Sequence, residues 1–577
     1  MANPPDRTEL WSNKLSSPEN GEQRSAMRTI SLTTFVATIA VLVTEFLALR
    51  HRYFVNDDYQ IIYTTWLRSM GKVPGQDFAV QSFHLLPELM RPLMTIVDGV
   101  PDRLWLLRIP FFLCLCALPA LTGLITSRAF SKQAAPFAAL ASVLSWAVLE
   151  RSLDIRPEPF LIVLLLGQLA LTLHLDFGRR HAFGIGCLAS LMLVLRLKTV
   201  VFLPLVLLWT WARPGFSTTT NRGRTKRPLR DLLHVFFGMA FAAAAIGSVF
   251  YASGLLSFFI DGNVSLMRIA AHPATTQDLR LETLGIMLSK DPLWSTLFLT
   301  GAGLWVMRRH AVDETLRAGG LLAFGFIYIV LNPAFYAYNF LVLLPLWSSF
   351  VGISLISITN RVHRNTLSVP FAVVTLTLLF ATHSPRLLDL ATRETNRDQL
   401  LLARALNATP LDTHVFALEG IGLFRPSLFD WRLSAVSLGL YQSGQIDLES
   451  QLSSQRPEIV IRSYRIPGWL SAKDKSWMLE HYVRVTPELS VLGKRLAANE
   501  VAEFRLARKA AFEIASGSLT VNGHRYADGA IVELPEGASR LETANSPALI
   551  RFHWPEALDL PPIETPYLIA PNTPVYE

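Results

Sequence analysis

Asp57 and Asp58 stand side by side in "FVNDDYQIIYTTWLRSMGKVPGQDF", residues 54–78, directly after the first long apolar run. Adjacent carboxylates repel each other and resist leaving water, so they make poor lipid-facing residues. Such a carboxylate can accept a proton from an attacking hydroxyl. Further along, "SLDIRPEPF" contributes Asp154, Arg156 and Glu158, and "RLKT" contributes Arg196 and Lys198. Arginine and lysine hold phosphate oxygens, arginine through a planar fork and lysine as a point charge. His84 and Arg91 flank one amphipathic stretch, and Asp261, Arg268 and His272 fall within residues 252–291. "NPAFYAYNF" adds Tyr336, Tyr338 and Asn339. Gathered on one face, these types suit a substrate with an acidic head and a lipid tail.

Whether they gather depends on the elements between them. The chain has 577 residues, 51% of them hydrophobic and 17% charged, with a mean hydropathy of +0.33. Soluble domains are about one quarter charged, so this balance indicates a membrane protein. Cys114, Cys116 and Cys187 all lie inside apolar runs. They are expected to be small apolar residues, with no disulfide framework and no metal site built on them. The net charge of +8 is carried mostly in short loops, which topology explains better than nucleic acid does. Residues 1–28 are polar and mixed in charge, so the first span is expected to stay as an uncleaved anchor.

A bilayer core needs about 20 apolar residues as helix. Runs of that kind are Ile30–Leu49, Leu104–Thr126, Ala134–Leu149, Pro159–Leu175, Ala182–Leu195 and Thr199–Ala212. Leu232–Tyr251, Pro292–Met307, Ala318–Asn332, Phe335–Ile356 and Leu367–Thr382 bring the expected spans to about eleven. Residues 85–100, "LLPELMRPLMTIVDGV", carry Glu88 and Arg91 at their centre. Those charges favour a helix lying along the membrane over a span. With a cytoplasmic N-terminus, the basic loops, above all 213–230, then fall inside. The residues singled out above fall outside, together with everything after about His383.

The expected organisation is a cytoplasmic tail over 1–28 and a transmembrane domain over 29–383, with a first outside loop over 50–103. An extracytoplasmic mixed α/β region follows over 384–508, and a small β-rich module over 509–577. That last module alternates apolar and polar residues between Asn-Gly, Asp-Gly and Glu-Gly turns.

Plainer roles stand beside each chemical one. Asp57 and Asp58 could mark a solvated helix end, and Arg156 and Glu158 could pair with each other at a helix mouth. A lysine at a span end, such as Lys198, often snorkels. His84 and His272 suit polar surface as well as a substrate, and Tyr336 and Tyr338 suit an interfacial aromatic belt.

The 54–78 stretch resembles the signature after the first span in the GT-C superfamily of polyprenyl-phosphate-sugar glycosyltransferases. Protein O-mannosyltransferases and aminoarabinose transferases are among them. The residues carrying the resemblance are Asp57, Asp58, Tyr59, Gly71, Pro74, Asp77 and Phe78. "RPEPFLIVLLLGQLAL" is similar to the superfamily's Arg-Pro-Asp/Glu opening of a later span, and "YAYNFLVLLPLW" to its Tyr-rich approach to another. The resemblance covers about residues 30–383. In one departure, His84-Leu-Leu-Pro87 stands where aminoarabinose transferases carry Lys-Pro-Pro-Leu. Neither that sugar nor lipid A is therefore carried over.

The resemblance implies a polytopic α-helical, GT-C-like membrane protein with a soluble C-terminal domain, seated in a bacterial cytoplasmic membrane. It implies a sugar moved from a polyprenyl-phosphate donor to a lipid, polysaccharide or protein hydroxyl on the periplasmic face. Asp57 and Asp58 are the expected catalytic carboxylates. Arg156, Glu158, Lys198, His84, Arg91, His272, Tyr336 and Tyr338 are the expected substrate-binding residues. A divalent cation beside Asp57 and Asp58 is the one cofactor considered, and no nucleic-acid partner is expected. The alternative is a transporter or flippase of lipid-linked glycans. Transporters place ionisable groups near the membrane midplane and often show internal repeats, whereas these groups cluster at one face.

Overall fold

The computed structural model describes residues 19–554 apart from 75, 79–84, 214–225, 263–279, 308–309, 333–335, 363–367, 419–420, 428–440 and 463–467. His84 and His272 lie outside the described residues.

The chain opens with α1 (Glu19–His51), followed by α2 (Asn56–Ser69) and α3 (Leu86–Val97). The 3-10 helix Pro101–Arg108 runs into α4 (Ile109–Ala129), and α5 (Ala135–Leu144) and α6 (Trp146–Arg151) come next. Then come α7 (Glu158–Thr172), α8 (Arg179–Leu195), the 3-10 turn Leu197–Phe202 and α9 (Leu203–Trp211). The helical part continues with α10 (Lys226–Ala252), α11 (Arg280–Lys290), α12 (Pro292–Val306) and α13 (Val312–Val330). The short 3-10 turn Ala337–Asn339, α14 (Phe340–Val362) and α15 (Ser368–Thr392) complete it.

The described residues of the eleven apolar runs lie mostly on helix. By length and composition, four of the helical stretches can cross a membrane: Arg28–His51, Pro101–Ala129, Pro228–Ala252 and Ala337–Ile358. The run Ala134–Leu149 is broken at Ser145, whose extended backbone (φ −64°, ψ 140°) ends α5 and starts α6. Helix α3, the 85–100 stretch, has 12 residues. At 1.5 Å per residue it is about 18 Å long, short of a bilayer core of about 30 Å. It buries Met90, Met94 and Val97 and leaves Leu89 and Ile96 exposed.

Close helix approach is bought with glycine. A Cβ at Gly301 in α12 would collide with the Phe350 carbonyl of α14, whereas one at Gly303 would meet nothing. Small residues at such crossings let backbones pack directly. Gly301→Ala is expected to cost about 1–3 kcal/mol through overpacking. Thermal unfolding in detergent, with Gly303→Ala as the control, measures this.

Beyond the helices lie α16 (Arg397–Ala408), β1 (Val415–Phe416), α17 (Leu448–Gln455), β2 (Ile459–Ile461) and α18 (Ala472–His481). Nine strands follow: β3 (Tyr482–Arg484), β4 (Leu489–Leu496), β5 (Val501–Leu506), β6 (Ala510–Ser516), β7 (Leu519–Val521), β8 (His524–Tyr526), β9 (Ile531–Leu534), β10 (Gly537–Thr543) and β11 (Ala548–Phe552). Strand β11 alternates, with Ala548, Ile550 and Phe552 facing inward. Asn522 and Gly523, at φ 48° and 85°, form the two-residue turn between β7 and β8.

The sheets correct one expected boundary. A seven-stranded sheet runs β1-β2-β4-β11-β6-β9, with β3 also on β4, and β5-β10-β7-β8 form a second sheet. Because β11 inserts between β4 and β6, the first sheet crosses the 508/509 division read from local alternation. Local pattern reports strand faces, not distant partners.

The apolar interior is shared between the two regions. One cluster joins Tyr59, Ile62 and Met90 of α2 and α3 to Leu402, Ile459, Val491 and Ile550. Polar contacts tie the same junction: Phe54 N–H donates to Gln399 Oε1 at 2.7 Å, and Gln399 Nε2 donates to Phe54 O at 2.8 Å. Ser427 N–H donates to the Tyr63 hydroxyl at 2.7 Å. The first loop is therefore clamped between the helical body and the C-terminal region.

Candidate active site

Successive residues on an α-helix point about 100° apart, so Asp57 and Asp58 in the first turn of α2 face different surroundings. Asp57 points into open space, 36% exposed, and ion-pairs with Arg156 at 2.6 Å. Asp58 turns inward and is fully buried. Its Oδ1 accepts from Ile155 N–H at 2.7 Å and its Oδ2 from Val55 N–H at 3.1 Å. Arg108, equally buried, lies 3.5 Å from the same carboxylate. Burial, and after it the charge of Asp154, pushes the Asp58 carboxyl up to about 7, while Arg108, Arg156 and the Ile155 N–H pull the other way.

This placement revises the expected pair. Asp58 pins the start of α2 to residues 152–157 and has no open face toward a substrate. It is placed as a positioning residue, whereas Asp57 keeps an exposed carboxylate edge. The two carboxylates also do not converge on one ion. Asp58 is already engaged and Asp57 faces Arg156, so the pair does not fit the expected divalent cation, and no step below is routed through one.

Arg156 follows Asp154 in a loop held by buried charges. Asp154 lies 3.8 Å from Arg52, 3.4 Å from Arg151 and 3.7 Å from Arg156. Opposite charges at such distances keep buried ions tolerable, because each unpaired one would cost several kcal/mol, as an order of magnitude. Arg108 donates to Arg52 O and Tyr53 O, each at 2.6 Å, and stacks 3.9 Å over Phe54. Sequence reasoning had not singled out Arg108. Its signal was a cation at the mouth of an apolar span, where a partner is obligatory.

Arg156 also lies 3.9 Å over the centre of the Tyr338 ring. Lys198 Nζ is 5.5 Å and the Arg196 guanidinium 6.0 Å from the same ring. Such rings attract cations through their negative faces. Glu158, fully buried at the start of α7, ion-pairs with Arg196 and lies 3.4 Å from Lys198. Arg156 and Glu158, for which pairing with each other was the plainer reading, instead turn to Asp57 and to the other cations respectively. Lys198 Nζ also donates to Asn339 Oδ1 at 2.9 Å, and the Tyr328 hydroxyl donates there at 3.1 Å. Three cations therefore surround one ring, Arg196 and Lys198 with exposed edges and Arg156 buried, and the Asp57 carboxylate is open beside them.

Asp57, Arg156, Glu158, Lys198 and Tyr338 come together, and Arg196, Asn339 and Tyr328 join them. Tyr336 stacks on Tyr338 at 5.6 Å between ring centres. Arg91 stays apart on α3, 3.8 Å from Glu88, which in turn ion-pairs with Arg68. It belongs to the packing of α2 against α3.

No family model matches the chain, and no curated protein sequence matches it. Solved structures do. ArnT from Cupriavidus metallidurans bound to undecaprenyl phosphate aligns with a TM-score of 0.55 at 11% identity, over 80% of this chain and 97% of that one. The same protein in the apo state aligns at 0.52 and 13% identity, over 79% and 97%. The Archaeoglobus fulgidus oligosaccharyltransferase in the apo form aligns at 0.50 and 11% identity, over 78% and 72%. At such identities the likeness is one of fold. With its helical body, apolar spans and β-rich C-terminal region, the chain has the fold of the GT-C glycosyltransferases.

Proposed function

We propose that this protein transfers a sugar from a polyprenyl-phosphate-linked donor to an acceptor hydroxyl, at the periplasmic face of a bacterial cytoplasmic membrane. The observation that carries the reading is the Asp57–Arg156 pair at 2.6 Å beside Lys198, Arg196 and Tyr338. A carboxylate next to an excess of cations fits proton removal on one side and a lipid phosphate on the other. The undecaprenyl phosphate bound to ArnT supports a lipid phosphate as the donor's leaving group.

In this mechanism the donor's lipid tail lies in the bilayer and its phosphate rests against the exposed edges of Arg196 and Lys198, with the buried Arg156 adding its charge from behind. Asp57 accepts the proton of the acceptor hydroxyl as that oxygen forms a bond to the anomeric carbon. The bond from that carbon to the phosphate oxygen breaks, and its electron pair leaves with polyprenyl phosphate. A single displacement inverts the configuration at the sugar. Polyprenyl phosphate needs cations more than a protonating acid, because its charge is stabilised electrostatically. Tyr338 holds Arg156 flat on one side, and Glu158 anchors Arg196 and Lys198 from beneath.

Purified protein incubated with polyprenyl-phosphate sugars and membrane extract as acceptor tests this. Release of free polyprenyl phosphate matched by sugar on an acceptor is the expected result. Movement of intact donor between leaflets without bond cleavage would overturn it in favour of a transporter.

A further inference from the structure

Away from the Asp57 site, a pocket of about 240 Å³ opens in the C-terminal region where α16 ends. Asp412, Thr413, Glu458, Arg508, Phe552 and Trp554 are among the residues lining it. One water needs about 10–15 Å³ of such space, so there is room for about sixteen, more than a hexose has ring and hydroxyl atoms. Contacts between neighbouring elements hold its shape. Trp554 Nε1, just past β11, donates to Ala405 O of α16 at 3.2 Å, and His553 N–H donates to Ala511 O of β6 at 2.9 Å. Glu458 Oε2 accepts from His414 N–H at 2.7 Å.

The polar groups in its wall are fixed on one side and open on the other. Arg508, 25% exposed, donates through Nε and Nη2 to Glu458 Oε1 at 3.1 and 2.9 Å. Nothing among the described residues takes its Nη1, so one edge of the fork keeps two donors for a ligand. The Thr413 hydroxyl and the exposed Asp412 carboxylate likewise make no hydrogen bond among the described residues. Arg508 Nη1 and Thr413 Oγ1 both keep surface open to solvent. Between these groups Ala510, Ala511, Phe552 and Trp554 supply apolar wall.

The charges decide the ligand class. Glu458 already matches Arg508, and Lys509 ion-pairs with Glu533 at 2.5 Å, so a phosphate or carboxylate would find no spare cation. An ammonium would meet the open edge of Arg508. What fits is a neutral ligand whose groups both donate and accept, with an apolar face to lay on the wall. Sugar hydroxyls and ring C–H groups have that pattern. We propose that the pocket binds a neutral sugar residue and so holds a glycan acceptor. Phe54, in the segment bearing Asp57, is fastened to Gln399, and Ala408 lies further along α16 by about 14 Å at 1.5 Å per residue. The pocket is thus a second site, and the acceptor that bridges the two is a glycan, not a single sugar. Sugar binding stands by itself, whereas the acceptor role rests on the transfer proposed above.

Full-length protein in nanodiscs, free of sugar-headed detergent, provides the test. Saturation-transfer NMR titrations would use the methyl glycosides of glucose, galactose, mannose, rhamnose and arabinose, with glucose 6-phosphate, glucosamine and a blocked neutral tripeptide as comparisons. At least one neutral glycoside is expected to bind with a Kd of about 1–10 mM. The charged sugars and the tripeptide should bind about tenfold more weakly or not at all. Asp412→Ala/Thr413→Val, with its Tm checked against the native protein, should weaken sugar binding about tenfold. Asp57→Asn should leave it unchanged, because the two sites are separate. No binding by any neutral glycoside, equal binding of a comparison compound, binding undiminished in the double variant or binding lost in Asp57→Asn would each overturn the pocket as a sugar site. In transfer to a glycan acceptor, the double variant should raise the acceptor KM about tenfold, with the loss in KM and not in kcat. An unchanged KM would overturn the acceptor role, and a protein that binds sugar but transfers none would overturn the transfer reading alone.

Discussion

Asp57→Asn is expected to slow sugar transfer by about 10²–10⁴-fold, the range a positioned general base contributes. The amide keeps the size of the carboxylate but cannot take the acceptor's proton. Its other effect falls on Arg156, which loses the partner 2.6 Å away. Arg156 is buried but keeps Asp154 3.7 Å away and the Tyr338 ring beneath it, so the protein should still fold. Single-turnover release of polyprenyl phosphate, with donor binding measured separately, divides the two effects. The loss should fall on the chemical step, with donor affinity changed far less. Transfer that survives intact would remove Asp57 from the mechanism.

The opposite balance is expected at the next residue. Asp58→Ala leaves Arg108 buried without its carboxylate and orphans the N–H groups of Ile155 and Val55. Breaking a buried ion pair from one side costs about 3–5 kcal/mol. The variant should therefore unfold at lower temperature and lose activity through disorder of residues 152–157. Circular dichroism and thermal unfolding of the purified variant measure this, and an unchanged Tm would contradict the positioning role. Asp58→Asn adds a pH signature. In the fold the Asp58 carboxyl is lifted from 3.8 to about 7, so the native state holds a proton there that the unfolded chain has released. Stability from that proton is present at low pH and lost as pH rises toward 7. The advantage of the native sequence over Asp58→Asn should accordingly widen as pH falls from about 7 toward 4.

These neighbours also show what was legible in the sequence. An acidic pair directly after an apolar run is visible. Which carboxylate faces the substrate depends on where α2 begins, and one residue of register exchanges their roles. Lys198 and Arg156 were legible as cations at the ends of apolar runs. Their meeting around Tyr338 was not, since it depends on how α7, the turn after α8 and the turn before α14 pack. Arg196 stood two residues from Lys198 and read equally well as a span-end charge. In the C-terminal region the Asn-Gly turn and the alternation of β11 could be read directly. The insertion of β11 between β4 and β6 could not, because strand order is set by contacts far apart in sequence.

The clamp on the first loop has a consequence for biosynthesis. Gln399 holds Phe54, and Thr395 holds Tyr53, across 345 and 342 residues of sequence. The segment bearing Asp57 emerges early, yet its fastening partners are among the later parts to be translated. During that interval the faces of α2 and α3 that pack against Leu402, Ile459 and Val491 lack those partners. The candidate site consequently takes its final shape last, when the C-terminal region has been made and packs against the first loop.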